Sequence, residues 1–341
     1  MTRPDHASRP SGAPLLAVDD LRIAFGAREA VQGVGFEVRE GETLALVGES
    51  GSGKSVTALT IMSLLPPGGR IVQGSVCFEG REITALPPRE SRRIRGGSIG
   101  MVFQEPMTCL NPVMTIGDQI AEAVRQHQPL SRKAACARAI ELLDLVRIPD
   151  PHRRAGDYPH KLSGGMRQRV MIAIAVACGP RLLIADEPTT ALDATIQSQV
   201  LDLIDRLRRE LSMAVLLITH DLGIVGQWAD RVVVMYAGRD VEQGTPADLF
   251  SNPLHPYTRG LLAASPRLDD SHHYSDGPLV EIPGSIRSAE GEQGCAFAPR
   301  CAHADFRCRE AVPAVQFLSG DRQVACPIVI QEEHRVAAVH R

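Results

Sequence analysis

Long apolar runs are scarce in this sequence of 341 residues. The run that includes Met171 to Cys178 falls far short of the roughly 20 residues that a membrane-spanning helix needs. The first fourteen residues are polar and contain proline, and they lack the apolar stretch of a secretory signal peptide. We therefore expect a cytosolic chain that reaches a membrane only through partners.

An excess of positive charge is also lacking, because the formal net charge is −3. This value gives no electrostatic reason to expect nucleic acid as the main partner. Lysine is rare and occurs only as Lys54, Lys133 and Lys161, so a lysine within a glycine-rich loop stands out. Hydrophobic residues make up 44%, which is typical of a globular chain, and the length allows a large domain with a smaller one.

Short apolar stretches alternate with helical patterns through most of the chain, as in an α/β fold with a parallel sheet. The predicted buried strands are residues 43–47, 182–185, 215–218 and 232–235. Between Gln104 and Leu162 strand patterns are absent, and residues 116–128 and 132–146 have helical periodicity. The sequence therefore predicts a helical subdomain inserted into the α/β domain.

A glycine-rich loop follows the first of these strands and matches the pattern G-x-x-x-x-G-K-[ST]. Glycines let the backbone wrap so that its N–H groups point at phosphates, next to a helix N-terminus that favours anions. Lys54 is predicted to reach the β- and γ-phosphates of a nucleotide, and Ser55 to bind Mg²⁺. The candidate phosphate-binding residues are Gly48, Glu49, Ser50, Gly51, Ser52, Gly53, Lys54 and Ser55.

Two acidic residues, Asp186 and Glu187, end the second predicted strand. One carboxylate at such a position can hold the Mg²⁺ shell while the next faces the γ-phosphate. An acidic pair that merely caps a strand at the surface is the alternative. A second glycine-rich segment, Leu-Ser-Gly-Gly-Met-Arg-Gln-Arg at 162–169, opens a predicted helix, where a simple helix cap is the alternative.

These motifs occur in the same order as in the ATP-binding subunits of ATP-binding cassette (ABC) transporters, which the chain resembles. The resemblance implies a P-loop NTPase fold, with ATP and Mg²⁺ bound. It implies that Glu187 is the general base for the attacking water, that His220 contacts the γ-phosphate, and that Gln104 senses Mg²⁺ and this water. Phe25 stands where the family stacks an aromatic ring on adenine, although a core phenylalanine fits this position equally well.

The resemblance also explains the second glycine-rich segment through dimerisation. It implies that Ser163, Gly164 and Gly165 bind the γ-phosphate held by the partner's P-loop, and that Asp193 reaches across the dimer interface. ATP then holds a head-to-tail dimer together until it is hydrolysed. Ser55, Gln104 and Asp186 are the implied Mg²⁺-binding residues of each site.

Four of the eight cysteines, Cys295, Cys301, Cys308 and Cys326, follow residue 290 with the spacing C-x5-C-x6-C-x17-C. Clustered thiols in a reducing compartment suggest a metal site. The tight pairs typical of zinc are absent, and the wider spacing suits an iron–sulfur cluster better. Zinc and free thiols remain open alternatives.

This region resembles the oligopeptide/dipeptide/nickel branch of the family, some members of which hold a [4Fe–4S] cluster on such cysteines. The segments that carry the resemblance are His255 to Leu262, Ile282-Pro283-Gly284 and the cysteines. The predicted organisation is a flexible tail at 1–14, an ATPase domain at 15–255 with its helical subdomain at about 105–165, a linker at 256–290 and a C-terminal module at 291–341.

The resemblance implies an ATPase that energises import of di- or oligopeptides through a separate permease. The implied partners are a second ABC ATPase subunit, of the same or a different sequence, two permease subunits and an extracytoplasmic binding protein, without nucleic acid. The implied location is the cytoplasmic face of a bacterial inner membrane. Nickel or another small solute is the alternative cargo. A soluble ABC ATPase acting on nucleic acid is disfavoured, because the segment from Gln104 to Leu162 is too short for a long coiled coil.

Overall fold

The computed structural model describes residues 13–190, 192–265, 281–318 and 321–329. The strands are β1 (Leu16–Phe25), β2 (Arg28–Val38), β3 (Thr43–Val47), β4 (Gly69–Phe78), β5 (Arg81–Glu82), β6 (Ile99–Val102), β7 (Leu182–Asp186), β8 (Ala214–Thr219), β9 (Arg231–Tyr236), β10 (Arg239–Gly244), β11 (Gln316–Phe317) and β12 (Gln323–Val324). The helices are α1 (Lys54–Ile61), α2 (Pro88–Ile94), α3 (Pro106–Cys109), α4 (Ile116–His127), α5 (Arg132–Leu145), α6 (Pro151–Arg154), α7 (Gly164–Ala175), α8 (Ala194–Glu210), α9 (Leu222–Trp228), α10 (Pro246–Ser251), α11 (Pro256–Ala264) and α12 (Arg307–Glu310). Within these ranges, 3₁₀ turns span Pro159–Lys161, Ile286–Ala289 and Ala298–Arg300.

An eight-stranded sheet in the order β11-β12-β10-β9-β3-β8-β7-β6 forms the centre of the fold. Its strands β9, β3, β8, β7 and β6 run parallel, and all five are buried along their length. The carboxyl ends of parallel strands meet at one edge of a sheet. The loops after β3, β6, β7 and β8 therefore converge, and these loops carry the predicted nucleotide motifs.

A second sheet is antiparallel, with the order β2-β1-β4-β5. Its apolar side chains share one core with the central sheet and with α1. Phe25 ends β1 at the hairpin that leads into β2. The second sheet therefore packs on the same face of the central sheet as α1.

The predicted helical subdomain is confirmed in the two long helices α4 and α5, each of which ends one residue before its predicted limit. Thr115 begins α4 by accepting the Asp118 N–H, and Ser131 begins α5 by accepting the Ala134 N–H. Both helices share one apolar core with α7, α8 and the strands β7 and β8. Among the helices of the described ranges, none is long and apolar enough to cross a membrane.

The C-terminal region is joined directly to the central sheet, because β12 pairs with β10 and β11 pairs with β12. Part of the predicted linker at 256–290 is also packed. It contains α11, where Tyr257 is fully buried, and Ile282 and Ile286 contact the same apolar cluster. Residues 266–280, like most of the predicted tail at 1–14, lie outside the described residues.

A buried histidine begins α11 and predicts a pH-dependent stability. His255 is 1% exposed, and its Nδ1 accepts the Tyr257 N–H at 3.1 Å. Burial, with a smaller contribution from Arg259, lowers its pKa from 6.5 to about 3. The unfolded chain therefore binds more protons between these two values, so stability falls as the pH drops below about 6.5.

The free energy of unfolding is expected to fall by about 2 kcal/mol between pH 7 and pH 5 through this group alone. Chemical denaturation at both pH values measures the change. His255→Asn, which keeps a side-chain acceptor for the start of the helix, should show a shallower dependence on pH. An equal dependence in the variant and the parent chain would contradict this role of His255.

Candidate active site

The glycine-rich loop joins β3 to α1, and crowding explains its glycines. Gly48, Gly51 and Gly53 have φ values of +153°, +83° and +100°, in the region that favours glycine. A Cβ atom on Gly48 would lie 2.2 Å from the Met235 carbonyl oxygen, and one on Gly53 would lie 2.9 Å from the Ala30 carbonyl oxygen. The loop therefore lies close against neighbouring backbone, which fixes its path at the end of the parallel strand.

Lys54 lies within the curve of this loop. Its ammonium donates to the carbonyl oxygens of Gly48 at 2.7 Å and Glu49 at 2.9 Å, and to Ser52 Oγ at 3.3 Å. Burial lowers the pKa of Lys54, while Glu187, Asp186 and Glu49 act in the opposite direction. The loop thus holds one buried cation, which is the charge that a polyphosphate requires.

Ser55 and Asp186 meet at the sheet edge, although they are 131 positions apart in the sequence. Ser55 Oγ donates to Asp186 Oδ1 at 3.0 Å. Burial raises the pKa of Asp186, while the hydrogen bond from Ser55 lowers it. A hydroxyl and a carboxylate oxygen side by side are suitable ligands for Mg²⁺, so the donors present fit this ion.

The three residues predicted to act on the attacking water also come together. Gln104 Nε2 donates to Glu187 Oε2 at 2.9 Å, and His220 Nδ1 lies 3.2 Å from Glu187 Oε1. Glu187 is held at a φ of +44° directly after β7. The structure therefore places the carboxylate between an amide from the loop after β6 and an imidazole from the loop after β8.

Thr190 also contacts the Glu187 carboxylate, although the sequence did not predict it. Its Oγ1 donates to Glu187 Oε2 at 3.0 Å. A threonine three positions after the carboxylate is the only signal in the sequence, and nothing in the pattern separates it from Thr189. Thr190 and Gln104 hold the same oxygen, which leaves Oε1 for His220.

The second glycine-rich segment forms the start of α7. Ser163 Oγ accepts the Met166 N–H at 3.4 Å, which makes it the cap of this helix. Gly165 lies under α8, because a Cβ atom there would lie 2.7 Å from Ile196 Cγ2. Ser163 and Gly164 are exposed at the surface. Among the described residues, no hydrogen bond joins Ser163 to the loop at 48–55 of the same chain.

Asp193 caps the neighbouring helix α8 by accepting the Ile196 N–H at Oδ1 at 3.0 Å. It is exposed, as Ser163 is, and the starts of α7 and α8 are adjacent, because a Cβ atom on Gly165 would lie 2.7 Å from Ile196 Cγ2. The action of both residues on a partner's nucleotide stays a prediction.

Phe25 is half-buried and contacts the core that the two sheets share. A Cβ atom on Gly69 would lie 2.8 Å from its ring, so the ring lies directly over this glycine. The core interpretation thus has a contact to support it. Stacking on adenine stays a prediction.

The four C-terminal cysteines are free thiols, and the Cys295 N–H donates to the Cys308 carbonyl oxygen at 2.7 Å. Burial raises the pKa of Cys295 to about 11 and also raises those of Cys301 and Cys326. Nearby backbone groups act in the opposite direction and lower the pKa of these three thiols. Within the described ranges, no group of three or more His, Cys, Asp or Glu side chains is arranged to hold a metal ion.

Comparison with known proteins agrees with this geometry. A family model described as ABC transporter matches residues 31–190. A second, described as oligopeptide/dipeptide transporter, C-terminal region, matches residues 241–308. The ATP-binding cassette MJ0796, solved as a dimer in a post-hydrolysis state bound to ADP and Pi, superimposes with a TM-score of 0.61 at 27% identity, over 68% of this chain and 98% of that one. The expected cassette fold is thereby confirmed.

Several relatives match nearly the whole chain. A putative peptide import ATP-binding protein of Brucella melitensis is 54% identical over 89% of this chain and 94% of its own length. A probable peptide ABC transporter ATP-binding protein of Sinorhizobium fredii is 51% identical over 94% of this chain and 96% of its own length. The chain belongs to the ATP-binding subunits of ABC transporters, and carries the C-terminal region of the oligopeptide/dipeptide transporters.

Proposed function

We propose that this chain hydrolyses ATP at the loop 48–55 and thereby energises the import of di- or oligopeptides through a separate membrane permease. The observation that carries the ATPase activity is the meeting of Gln104, Glu187 and His220 beside this loop. Peptides as the cargo are supported by the C-terminal region at 241–308 and by the relatives named for peptide import.

In this proposal the loop binds the phosphates through its backbone N–H groups and Lys54, whose ammonium exchanges loop carbonyls for phosphate oxygens. Ser55 and Asp186 would hold Mg²⁺, with Gln104 beside them. When bound, this ion neutralises charge that develops on the phosphate oxygens. Phe25 is the candidate contact to adenine.

Glu187 accepts the proton of the attacking water in the hydrolytic step. Gln104 and Thr190 hold its Oε2, so that Oε1 remains available beside His220. His220 then orients the water and contacts the γ-phosphate. Because the carboxylate is held from two sides, it reaches the water in a fixed orientation, which lowers the entropic cost of reaction.

A second cassette completes the site. Ser163, Gly164 and Gly165 of one subunit, with Asp193, bind the nucleotide held by the loop of the other. The exposed position of Ser163 and Asp193 at helix starts supports this role, since helix N-termini favour anions. ATP closes the head-to-tail dimer, and hydrolysis releases it.

The remaining parts of the proposal concern organisation and partners. We assign residues 15–255 to the ATPase domain and residues 291–341 to a C-terminal module. Two permease subunits, an extracytoplasmic binding protein and a second ATPase subunit complete the transporter, with this chain at the cytoplasmic face of the inner membrane. The pairing of β12 with β10 makes the module an extension of the ATPase sheet, so the two are expected to move together.

The four C-terminal cysteines are the candidate ligands of an iron–sulfur cluster. The proximity of Cys295 and Cys308, whose backbones are joined by a hydrogen bond of 2.7 Å, supports this assignment, because cysteine thiolates hold such clusters. Iron and acid-labile sulfide in anaerobically purified protein would establish the cluster. Zinc without sulfide would replace it with a zinc site, and the absence of all three would leave free thiols.

The cargo is tested in a host strain that lacks this gene and is complemented with the parent chain or with an empty vector. Uptake of labelled dipeptide, oligopeptide and nickel is measured in parallel. Peptide uptake restored by the parent chain alone is the expected result. Restoration of nickel uptake without peptide uptake would show that the chain energises nickel import instead.

A further inference from the structure

A buried arginine of the C-terminal region contacts the nucleotide loop. Arg300 donates through its two terminal nitrogens to the two carboxylate oxygens of Glu49, at 2.7 and 3.0 Å. The Arg300 side chain is 3% exposed and that of Glu49 is 27% exposed. Such a bidentate pair fixes geometry as well as charge. Glu49 is the second residue of the phosphate-binding loop.

Further contacts hold both partners of this pair. Arg300 Nε donates to the Pro283 carbonyl oxygen at 2.7 Å, and a terminal nitrogen lies 3.3 Å from the Tyr236 hydroxyl. Burial lowers the pKa of Arg300, but its hydrogen bonds to Glu49 and Tyr236 act in the opposite direction, and the net shift of the pKa is upward. The guanidinium therefore stays charged. The Glu49 backbone N–H donates to the Tyr257 hydroxyl at 2.9 Å.

The position of Glu49 determines where the loop lysine lies. The carbonyl oxygens of Gly48 and Glu49 are acceptors of the Lys54 ammonium. A Cβ atom on Gly48 would lie 2.2 Å from the Met235 carbonyl oxygen, so the backbone just before Glu49 lies close to β9. A rotation of the Glu49 peptide would therefore move an acceptor of Lys54 and change the path of the phosphate-binding backbone.

We propose that Arg300 is a positioning residue for ATP binding, through which the C-terminal region fixes the nucleotide loop by holding Glu49. This inference rests on the proposed ATPase function. Arg300 is proposed to act on the nucleotide through Glu49. The ATPase domain and the C-terminal region would thus both contribute to nucleotide binding.

A second pair in the same chain serves as the matched control. Arg39 and Asp321 also join the C-terminal region to the ATPase domain by a bidentate pair, with both distances at 2.8 Å. Arg39 precedes β3, whereas Glu49 follows it, so this pair lies at the opposite end of the strand from the nucleotide loop. The side chains of Arg39 and Asp321 are 48% and 43% exposed, so this pair controls for the loss of an ion pair between the two regions but is the weaker attachment.

The test measures the Kd of Mg-ATP for the full-length chain by isothermal titration calorimetry. Arg300→Gln is expected to raise the Kd about tenfold, which corresponds to about 1.4 kcal/mol. Arg300→Lys, which keeps the charge but loses the bidentate contact, should give a smaller increase. Asp321→Asn should change the Kd less than about twofold. Circular dichroism of each variant reports whether the chain is folded.

Equal Kd values for Arg300→Gln and Asp321→Asn would overturn the inference. If Arg300→Gln does not fold, the Kd of Mg-ATP is measured for Glu49→Gln instead, because this variant breaks the same pair. In a double variant that folds, adding Glu49→Gln to Arg300→Gln should not raise the Kd any further, because both substitutions remove the same interaction. Additive increases would contradict the inference. Failure of the parent chain to bind ATP would instead overturn the proposed function.

Discussion

Glu187→Gln is expected to slow ATP hydrolysis by about 1,000-fold, within the range that a general base contributes. The amide keeps the size of the side chain and can still contact Gln104, Thr190 and His220, but it cannot accept the proton of water. ATP affinity is expected to change little, because Lys54 and the loop backbone are unaltered. The variant should therefore accumulate with ATP bound, as a closed dimer.

Release of inorganic phosphate at saturating ATP measures this loss, and size-exclusion chromatography with ATP measures the dimer. Glu210→Gln is the control, since this carboxylate pairs with Arg206 at the exposed end of α8. It should hydrolyse ATP at the parent rate. Normal turnover by Glu187→Gln would refute the assignment of Glu187 as the general base.

Lys54→Ala is expected to weaken ATP binding by about 100-fold. Hydrogen bonds to charged groups contribute about 1.5–3 kcal/mol each, and the ammonium can make more than one to the β- and γ-phosphates. The variant also loses the buried donor that contacts the carbonyls of Gly48 and Glu49 in the loop. Titration calorimetry with Mg-ATP measures the change in Kd.

The scarcity of lysine supplies a matched control for this variant. Lys133 is exposed in the first turn of α5, in the helical subdomain and outside the nucleotide loop. Lys133→Ala should bind ATP with the affinity of the parent chain. Unchanged affinity in Lys54→Ala would refute the phosphate-binding role of the loop.

The sequence predicts the parts of this fold that repeat a pattern over many residues. The helices α4 and α5 are long and periodic, so their limits are predicted to within one residue. The buried strands β3, β7, β8 and β9 are continuous apolar runs, which identify a parallel sheet. The convergence of their loops follows from the geometry of such a sheet.

Short elements and distant contacts escape prediction for physical reasons. Strands of two residues, such as β11 and β12, carry no periodicity, so the joining of the C-terminal region to the central sheet has no sequence signal. The pair of Glu49 and Arg300 spans 251 positions and depends on the folded path of both segments. The helix α11 lies in a segment where proline and glycine favour a linker.

The central claim is that ATP hydrolysis by this chain drives peptide import. It is tested most directly by uptake of labelled di- and oligopeptides in the native host, with Glu187→Gln replacing the parent gene and Glu210→Gln as the control. The account predicts that peptide uptake is lost in the first strain and kept in the second. Peptide uptake at the parent rate in the Glu187→Gln strain would contradict it.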